Sequence, residues 1–77
     1  MYTQVICKIE AYTITDHDTY ESWLLSAVEF CNGTFAIIKG NETRLYKTRR
    51  RFVQAWHDMM VTINVLGWTK QPIESTI

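Results

Sequence analysis

Residues 34–47 read TFAIIKGNETRLYK, and this stretch decides the fold. Two runs rich in strand-forming residues flank the dipeptide Gly40-Asn41, which suits the positive φ angles of a tight hairpin turn. With a two-residue turn, the opposing pairs are Lys39 and Glu42, Ile38 and Thr43, Ala36 and Leu45, and Phe35 and Tyr46. The middle of the chain is therefore predicted to be an antiparallel hairpin.

Upstream of this hairpin the pattern predicts a strand followed by a helix. Residues 3–13 alternate in polarity, and the inner face of this first strand is expected to carry Val5, Cys7, Ile9 and Ala11. The cluster Thr15-Asp16-His17-Asp18 offers capping oxygens, and apolar residues then recur at helical spacing. A first helix is therefore predicted over residues 17–31, with Asn32-Gly33 as its left-handed stop.

Downstream of the hairpin the pattern predicts a second helix. Thr48 is placed to cap it, and its apolar positions cover an arc of roughly 160°, wider than that of an ordinary surface helix. Gly67 is a suitable terminator, with Trp68 packing back, although residues 61–65 also alternate in polarity as a strand would. The tail contains Pro72, so residues 68–77 are either an edge strand or frayed.

The element order is thus strand, helix, strand, strand, helix. A chain of 77 residues has room for one hydrophobic core, so residues 1–77 are predicted to form a single domain. The expected class is α+β, a small β-α-β-β-α domain with a three-stranded sheet and two helices packed on one face. If the tail forms a fourth strand, the arrangement becomes ferredoxin-like.

Charge and composition limit the classes of partner. Eight basic and eight acidic side chains give a net charge of zero, which argues against a protein held on nucleic acid or on a membrane by bulk charge alone. The opening run contains Gln4 and Lys8, so no signal peptide is predicted, and no apolar run approaches the ~20 residues of a membrane span. Cys7 and Cys31 are interpreted as two reduced, buried thiols of a cytoplasmic protein.

The sequence offers no pattern of residues that supports catalysis. His17 and His57 each have an adjacent Asp, but no further ligands lie at a metal-binding spacing, and neighbouring residues on a helix point about 100° apart. The glycines are isolated, so no phosphate-binding loop is present. We therefore predict a protein that is not an enzyme, with no catalytic residues, no metal and no cofactor.

The first candidate binding feature is the run Arg49-Arg50-Arg51, with Arg44 and Lys47 just before it. The run falls in the first turn of the second helix, where the helix dipole disfavours cations by about 0.3–1 kcal/mol each. Three guanidinium groups beside free backbone amides would suit a phosphate or a partner's carboxylates. The alternative is that they are solvated or paired with Glu42, Asp16 or Asp18.

The second candidate feature is surplus apolar surface. Two helices on one face of a sheet leave the other face open, and the hairpin register places on it Phe35, Ile37, Arg44 and Tyr46. Aromatic residues and arginine are enriched in interfaces. Val61 and Val65 are expected to add exposed valines on the second helix.

These features favour a non-enzymatic protein-binding module. A homodimer, and a viral or regulatory inhibitor or adaptor that blocks a larger complex, are the more specific expectations, by analogy. The rival is a nucleic-acid binder that uses the basic segment Lys39–Arg51, with Phe35 and Tyr46 as stacking platforms. A third alternative is a structural homodimer. No membrane partner is expected.

Overall fold

A computed structural model describes residues 5–73, which form one five-stranded antiparallel sheet and one helix. The elements are β1 (Ile6–Thr15), β2 (Ser22–Phe30), β3 (Phe35–Lys39), β4 (Glu42–Tyr46), α1 (Arg49–Leu66) and β5 (Thr69–Pro72). Their order in the sheet is β4-β3-β2-β1-β5, so β4 and β5 are the edges. The predicted two-helix, ferredoxin-like class is therefore wrong.

The error lies in residues 17–31, where a strand replaces the predicted first helix. β2 is the central strand of the sheet, and it buries Leu25 on one face and Val28 on the other. A strand with apolar residues on both faces loses its period-two alternation, so its pattern resembles that of a helix. The expected capping oxygens instead form the β1–β2 turn, where the Asp18 N–H donates to Asp16 Oδ1 at 2.9 Å.

The central hairpin is confirmed in its register. All of the predicted opposing pairs are present, from Lys39 opposite Glu42 to Phe35 opposite Tyr46, and Gly40 has a φ of 59°. Asn32-Gly33, predicted to end a helix, forms the turn between β2 and β3 instead, and the Gly33 φ is 86°. The left-handed conformation was correct at that glycine, but the element that precedes it was not.

The boundaries predicted for the second helix are also confirmed. The Thr48 hydroxyl accepts from the Arg51 N–H at 3.4 Å, and Gly67 ends the helix in the left-handed region at φ 72°. The Trp68 N–H then donates to the Ile63 carbonyl at 3.1 Å. After this turn the chain continues as β5, so of the two alternatives for the tail the edge strand is present through Pro72, and the last tail residues lie outside the described range.

The hydrophobic core lies between α1 and one face of the sheet, called here the inner face. Its buried members are Ile14, Leu25, Ile37 and Ile63. Four aromatic contacts of the described residues lie at its margins, including a stack of Phe35 on Phe52 with ring centroids 4.8 Å apart. The core therefore runs the length of α1 but covers only one side of the sheet.

The inner face of β1 is the opposite of the one predicted. Tyr12 and Ile14 pack under α1, whereas Val5 and Ile9, expected inside, are 60% and 55% exposed. The predicted strand also began at Thr3, which lies outside the described residues. Because successive side chains of a strand alternate between faces, choosing the wrong face exchanges every residue.

The two cysteines are joined, so the prediction of reduced, buried thiols is wrong. Cys7 and Cys31 form a disulfide with a Cα–Cα distance of 5.2 Å, and both residues are exposed. The pairing of β1 with β2 shifts register at Cys7, between Ile6 and Lys8, and Cys31 follows the end of β2. The antiparallel pairing of these strands thus brings the two sulfurs together.

Candidate functional site

Of the hairpin residues predicted to lie on an open face, Phe35, Ile37 and Tyr46 pack under α1, whereas Arg44 is exposed. Phe35 and Ile37 are 5% and 6% exposed, and Tyr46 lies against Phe52 with ring centroids 6.2 Å apart. The predicted pairing was right, but α1 packs on the side that carries the two aromatic residues. This choice is understandable, since a buried aromatic pair contributes more apolar area than the alternate pair of Ala36 and Leu45.

This correction also removes the basis for the most specific expectations. The homodimer, inhibitor and viral predictions drew on surplus apolar surface and on analogy, and the open face expected to carry Phe35, Ile37 and Tyr46 is covered by α1. They have no support in the structure and are withdrawn. The label α+β fits only loosely, because a single helix accompanies the five strands of the described residues.

The opposite side of the sheet, called here the outer face, carries an unbroken apolar row across four strands. Leu45 lies opposite Ala36, Ala36 opposite Val28, and Val28 opposite Ile9. The two ends of the row are open, with Leu45 68% and Ile9 55% exposed, while Val28 and Ala36 are almost inaccessible. Leu24, 52% exposed, adds to the same face.

No other element of residues 5–73 lies on the outer face, because α1 packs on the inner face. Single exposed apolar residues are ordinary on protein surfaces, whereas several exposed apolar side chains on one face, here Ile9, Leu24 and Leu45, are typical of a binding site. Sequence reasoning missed this site, although the predicted pairing of Ala36 with Leu45 already placed the two residues on one face. The outer face is the candidate functional site.

The arginine run stands at the start of α1, as predicted, but its members have different surroundings. Arg49 Nη1 lies 3.5 Å from Glu29 Oε1 on β2, in a largely exposed ion pair. Arg50 and Arg51 are exposed, and the first turn of α1 contains no acidic residue. Glu42, Asp16 and Asp18 were the acidic partners considered for the run, and the ion pair of the described residues joins Arg49 to Glu29 instead.

A groove of about 380 Å³ runs between α1 and β4 on the inner face. Apolar side chains of α1, including Met59 and Ala55, form one wall, and Arg44 stands on the other beside Tyr46. Lys47 is exposed just beyond the end of β4. Of the predicted site residues, the structure therefore gathers Arg44, Tyr46 and Ile37 at this groove.

The two valines predicted on the helix surface are indeed exposed. Val61 and Val65 are 46% and 76% accessible, and they lie on the side of α1 away from the core. They are separated from the outer face of the sheet by the core itself. They therefore cannot contribute to the same binding surface as Leu24 and Leu45.

The titratable side chains give little indication of acid or base chemistry. Burial beneath α1 raises the pKa of the Tyr12 phenol above 10.0, and the neighbouring Glu10 carboxylate adds to the rise. His17 Nε2 forms a hydrogen bond with Thr69 Oγ1 between the β1–β2 turn and β5. Among residues 5–73, no group of three or more His, Cys, Asp or Glu side chains is arranged to hold a metal ion.

Comparison with known proteins assigns no family. No protein-family model matches the chain, and no curated protein and no solved structure matches it either. In the described part of the chain, no helix is both long and apolar enough to cross a membrane.

Proposed function

We propose that this protein is a non-enzymatic protein-binding module that contacts its partner through the outer face of the sheet. One observation carries the proposal, the apolar row that crosses four strands and ends in the exposed side chains of Leu45 and Ile9. A partner that covered the exposed side chains of Leu45, Ile9 and Leu24 would remove apolar surface from water, which stabilises a complex by about 25 cal/mol per Å² before the costs of association.

The shape of the outer face suits a protein better than a small molecule. Ligand pockets are concave and enclose most of their occupant, whereas protein interfaces are broad and have an apolar centre with a polar rim. Thr43 and Ser26 lie on the same face beside the apolar row, and they supply hydroxyl groups for such a rim. The outer face therefore has the composition of an interface centre with part of its border.

Nucleic-acid binding is the weaker candidate. Its stacking platforms were to be Phe35 and Tyr46, and both contact Phe52 beneath α1. Lys39 lies over the Trp23 ring at 5.3 Å, and Arg49 pairs with Glu29, so two of the cations already have partners. A basic surface whose Phe35 and Tyr46 rings pack against Phe52 could hold phosphates, but it would lack free ring faces for the base stacking that single-stranded recognition uses.

The disulfide bears on where such a module works. A cytoplasmic location was predicted because no export signal was recognised and the two cysteines were interpreted as reduced thiols, and the Cys7–Cys31 bond contradicts the second of these reasons. Disulfides persist mainly in oxidising environments. We therefore extend the proposal to a partner met in an oxidising compartment or outside the cell.

Site-specific photo-crosslinking tests the proposal. A benzophenone amino acid at Leu24 on the outer face is compared with the same group at Val65, which is more exposed but lies on α1. We expect a discrete protein adduct from position 24 in extract or medium of the source cells, resistant to nuclease and abolished by Ile9→Lys. Position 65 should give no such adduct.

Two results would contradict the proposal. Equal adducts from positions 24 and 65 would show that the outer face has no special role. Adducts that disappear on nuclease treatment would favour the nucleic-acid candidate instead.

A further inference from the structure

The outer edge of β4 presents backbone groups that no other strand of residues 5–73 uses. The Gly40 N–H donates to the Leu24 carbonyl at 2.8 Å. Gly40 and Leu24 are therefore a hydrogen-bonded pair, and the next pair along the two strands is Lys39 opposite Leu25. Hydrogen-bonded and non-hydrogen-bonded pairs alternate along an antiparallel ladder, so Lys39 and Leu25 are not hydrogen-bonded to each other. Lys39 therefore directs its N–H and C=O groups away from β2 and toward β4.

The direction of every backbone group in β4 follows from that assignment. Glu42, the partner of Lys39, turns its N–H and C=O groups inward to β3, and the direction alternates along the strand. Thr43 and Leu45 consequently turn theirs outward, away from the sheet. Both residues are exposed, so a donor and an acceptor of each are open to an incoming strand.

The residues of β5, the other edge strand, disfavour the addition of a further strand. The Ile73 N–H donates to the Ala11 carbonyl at 3.0 Å, so the adjacent pair of Tyr12 and Pro72 is not hydrogen-bonded. The backbone of Pro72 therefore faces outward from β5, away from β1. Proline has no N–H to offer there, and Lys70 occupies the other outward position. Pro and Lys are residues with which proteins protect edge strands from pairing, and β4 contains neither.

The two faces beside the β4 edge differ in chemistry. On the inner side the edge adjoins the groove, whose lining carries Arg44 together with the acidic Glu42 and Asp58, and the exposed Lys47 and Arg50 follow the strand in sequence. On the outer side Leu45 ends the apolar row. A strand added here would place alternate side chains beside Arg44 and beside Leu45, so acidic and apolar residues in alternation would complement the two faces.

We propose that the β4 edge binds an extended segment of the partner protein as a sixth strand, with acidic side chains toward Arg44 and apolar side chains continuing the row from Leu45. Backbone hydrogen bonds to Thr43 and Leu45 hold the partner segment on the edge, and its alternating acidic and apolar side chains make the binding selective. This inference rests on the proposed function, since it specifies how the partner of the outer face engages the sheet.

The probe is a labelled synthetic peptide of about six residues, the usual strand length, with Val and Glu in alternation. Fluorescence anisotropy measures its binding to the native, disulfide-bonded chain. Two further peptides carry N-methyl groups on the Val amides or on the Glu amides. Because only alternate amides of an added strand face β4, one methylated peptide should bind about tenfold more weakly and the other should keep its affinity.

Leu45→Pro removes an outward N–H of β4 without removing a bond to β3, and Lys70→Pro is the matched change on the protected edge. We expect Leu45→Pro to weaken binding about tenfold and Lys70→Pro to leave it unchanged. If circular dichroism shows that Leu45→Pro does not fold, the two methylated peptides decide the question on the unaltered chain.

Equal binding of both methylated peptides, or of a folded Leu45→Pro variant, would overturn the sixth-strand assignment. Absence of binding by the alternating peptide would overturn it as well, and so would a dimer of the chain that Leu45→Pro abolishes. None of these outcomes affects the crosslink from position 24. A crosslink that persists when the peptide fails would separate the failure of this inference from the failure of the proposed function.

Discussion

Removal of the Cys7–Cys31 disulfide should cost the fold a large part of its stability. The two cysteines are 24 residues apart in sequence, and closing a loop of that length in the unfolded chain removes entropy equivalent to about 3.5 kcal/mol at 25 °C. A domain of 77 residues has a total unfolding free energy of about 4–12 kcal/mol. The loss would therefore leave a marginal protein.

Urea denaturation of the native chain, with and without reductant, measures this loss. We expect Cys7→Ser, Cys31→Ser and the double variant to be destabilised equally, because each removes the same bond. With a denaturant slope of about 1–3 kcal/mol per M, the midpoint should fall by roughly 1–3 M. Rapid thiol labelling of the untreated protein, or a double variant that loses the sum of two independent single losses, would refute the reasoning.

Three further changes test individual parts of the structure. Replacing Arg49–Arg51 by Gln should leave the unfolding free energy unchanged or raise it by up to about 1 kcal/mol at low salt. The reason is that removing cations from the positive end of the helix dipole offsets the loss of the exposed ion pair with Glu29. A clear loss of stability in urea melts would show that the arginine stems are structural. Tyr20→Gly should stabilise the β1–β2 turn by about 1 kcal/mol, because Tyr20 is 82% exposed at φ 60°; a lower melting temperature would disprove strain there. The raised pKa of Tyr12 means that the unfolded chain loses this proton first, so stability should fall as the pH rises past 10.0, and Tyr12→Phe should reduce that fall in urea melts. An unchanged pH dependence would show that the Tyr12 pKa is not raised.

Local signals predicted the parts of the fold that depend on local chemistry. Gly40-Asn41 set the register of β3 and β4, because a two-residue turn leaves only one way to align the flanking strands. Thr48 and Gly67 set the ends of α1, because a capping hydroxyl and a left-handed glycine act within one helical turn. Neither signal depends on the rest of the molecule.

Long-range features were not accessible in the same way. β2 resembled a helix because a central strand packs on both faces, and its position in the sheet depends on β1 and β3. The disulfide depends on the β1–β2 pairing, so a prediction that made residues 17–31 a helix could not bring Cys7 near Cys31. An error in one element thus also removed the evidence for an oxidised pair.

The candidate site was only partly predictable for a related reason. The hairpin register defined two sets of side chains, and only the packing of α1 decides which set is covered. Choosing Phe35 and Tyr46 as the open set gave the opposite face. The exposed row of Leu45 and Ile9 follows from the same register once the large aromatic residues are assigned to the core.

Methyl NMR spectra of the chain, recorded with and without the protein recovered by the crosslink from position 24, test the central claim most directly. The outer-face account predicts shifts of the Ile9, Leu24 and Leu45 methyl signals at saturation, with those of Val61 and Val65 unchanged. Shifts confined to Val61 and Val65 would contradict it, since those valines lie on the opposite side of the core.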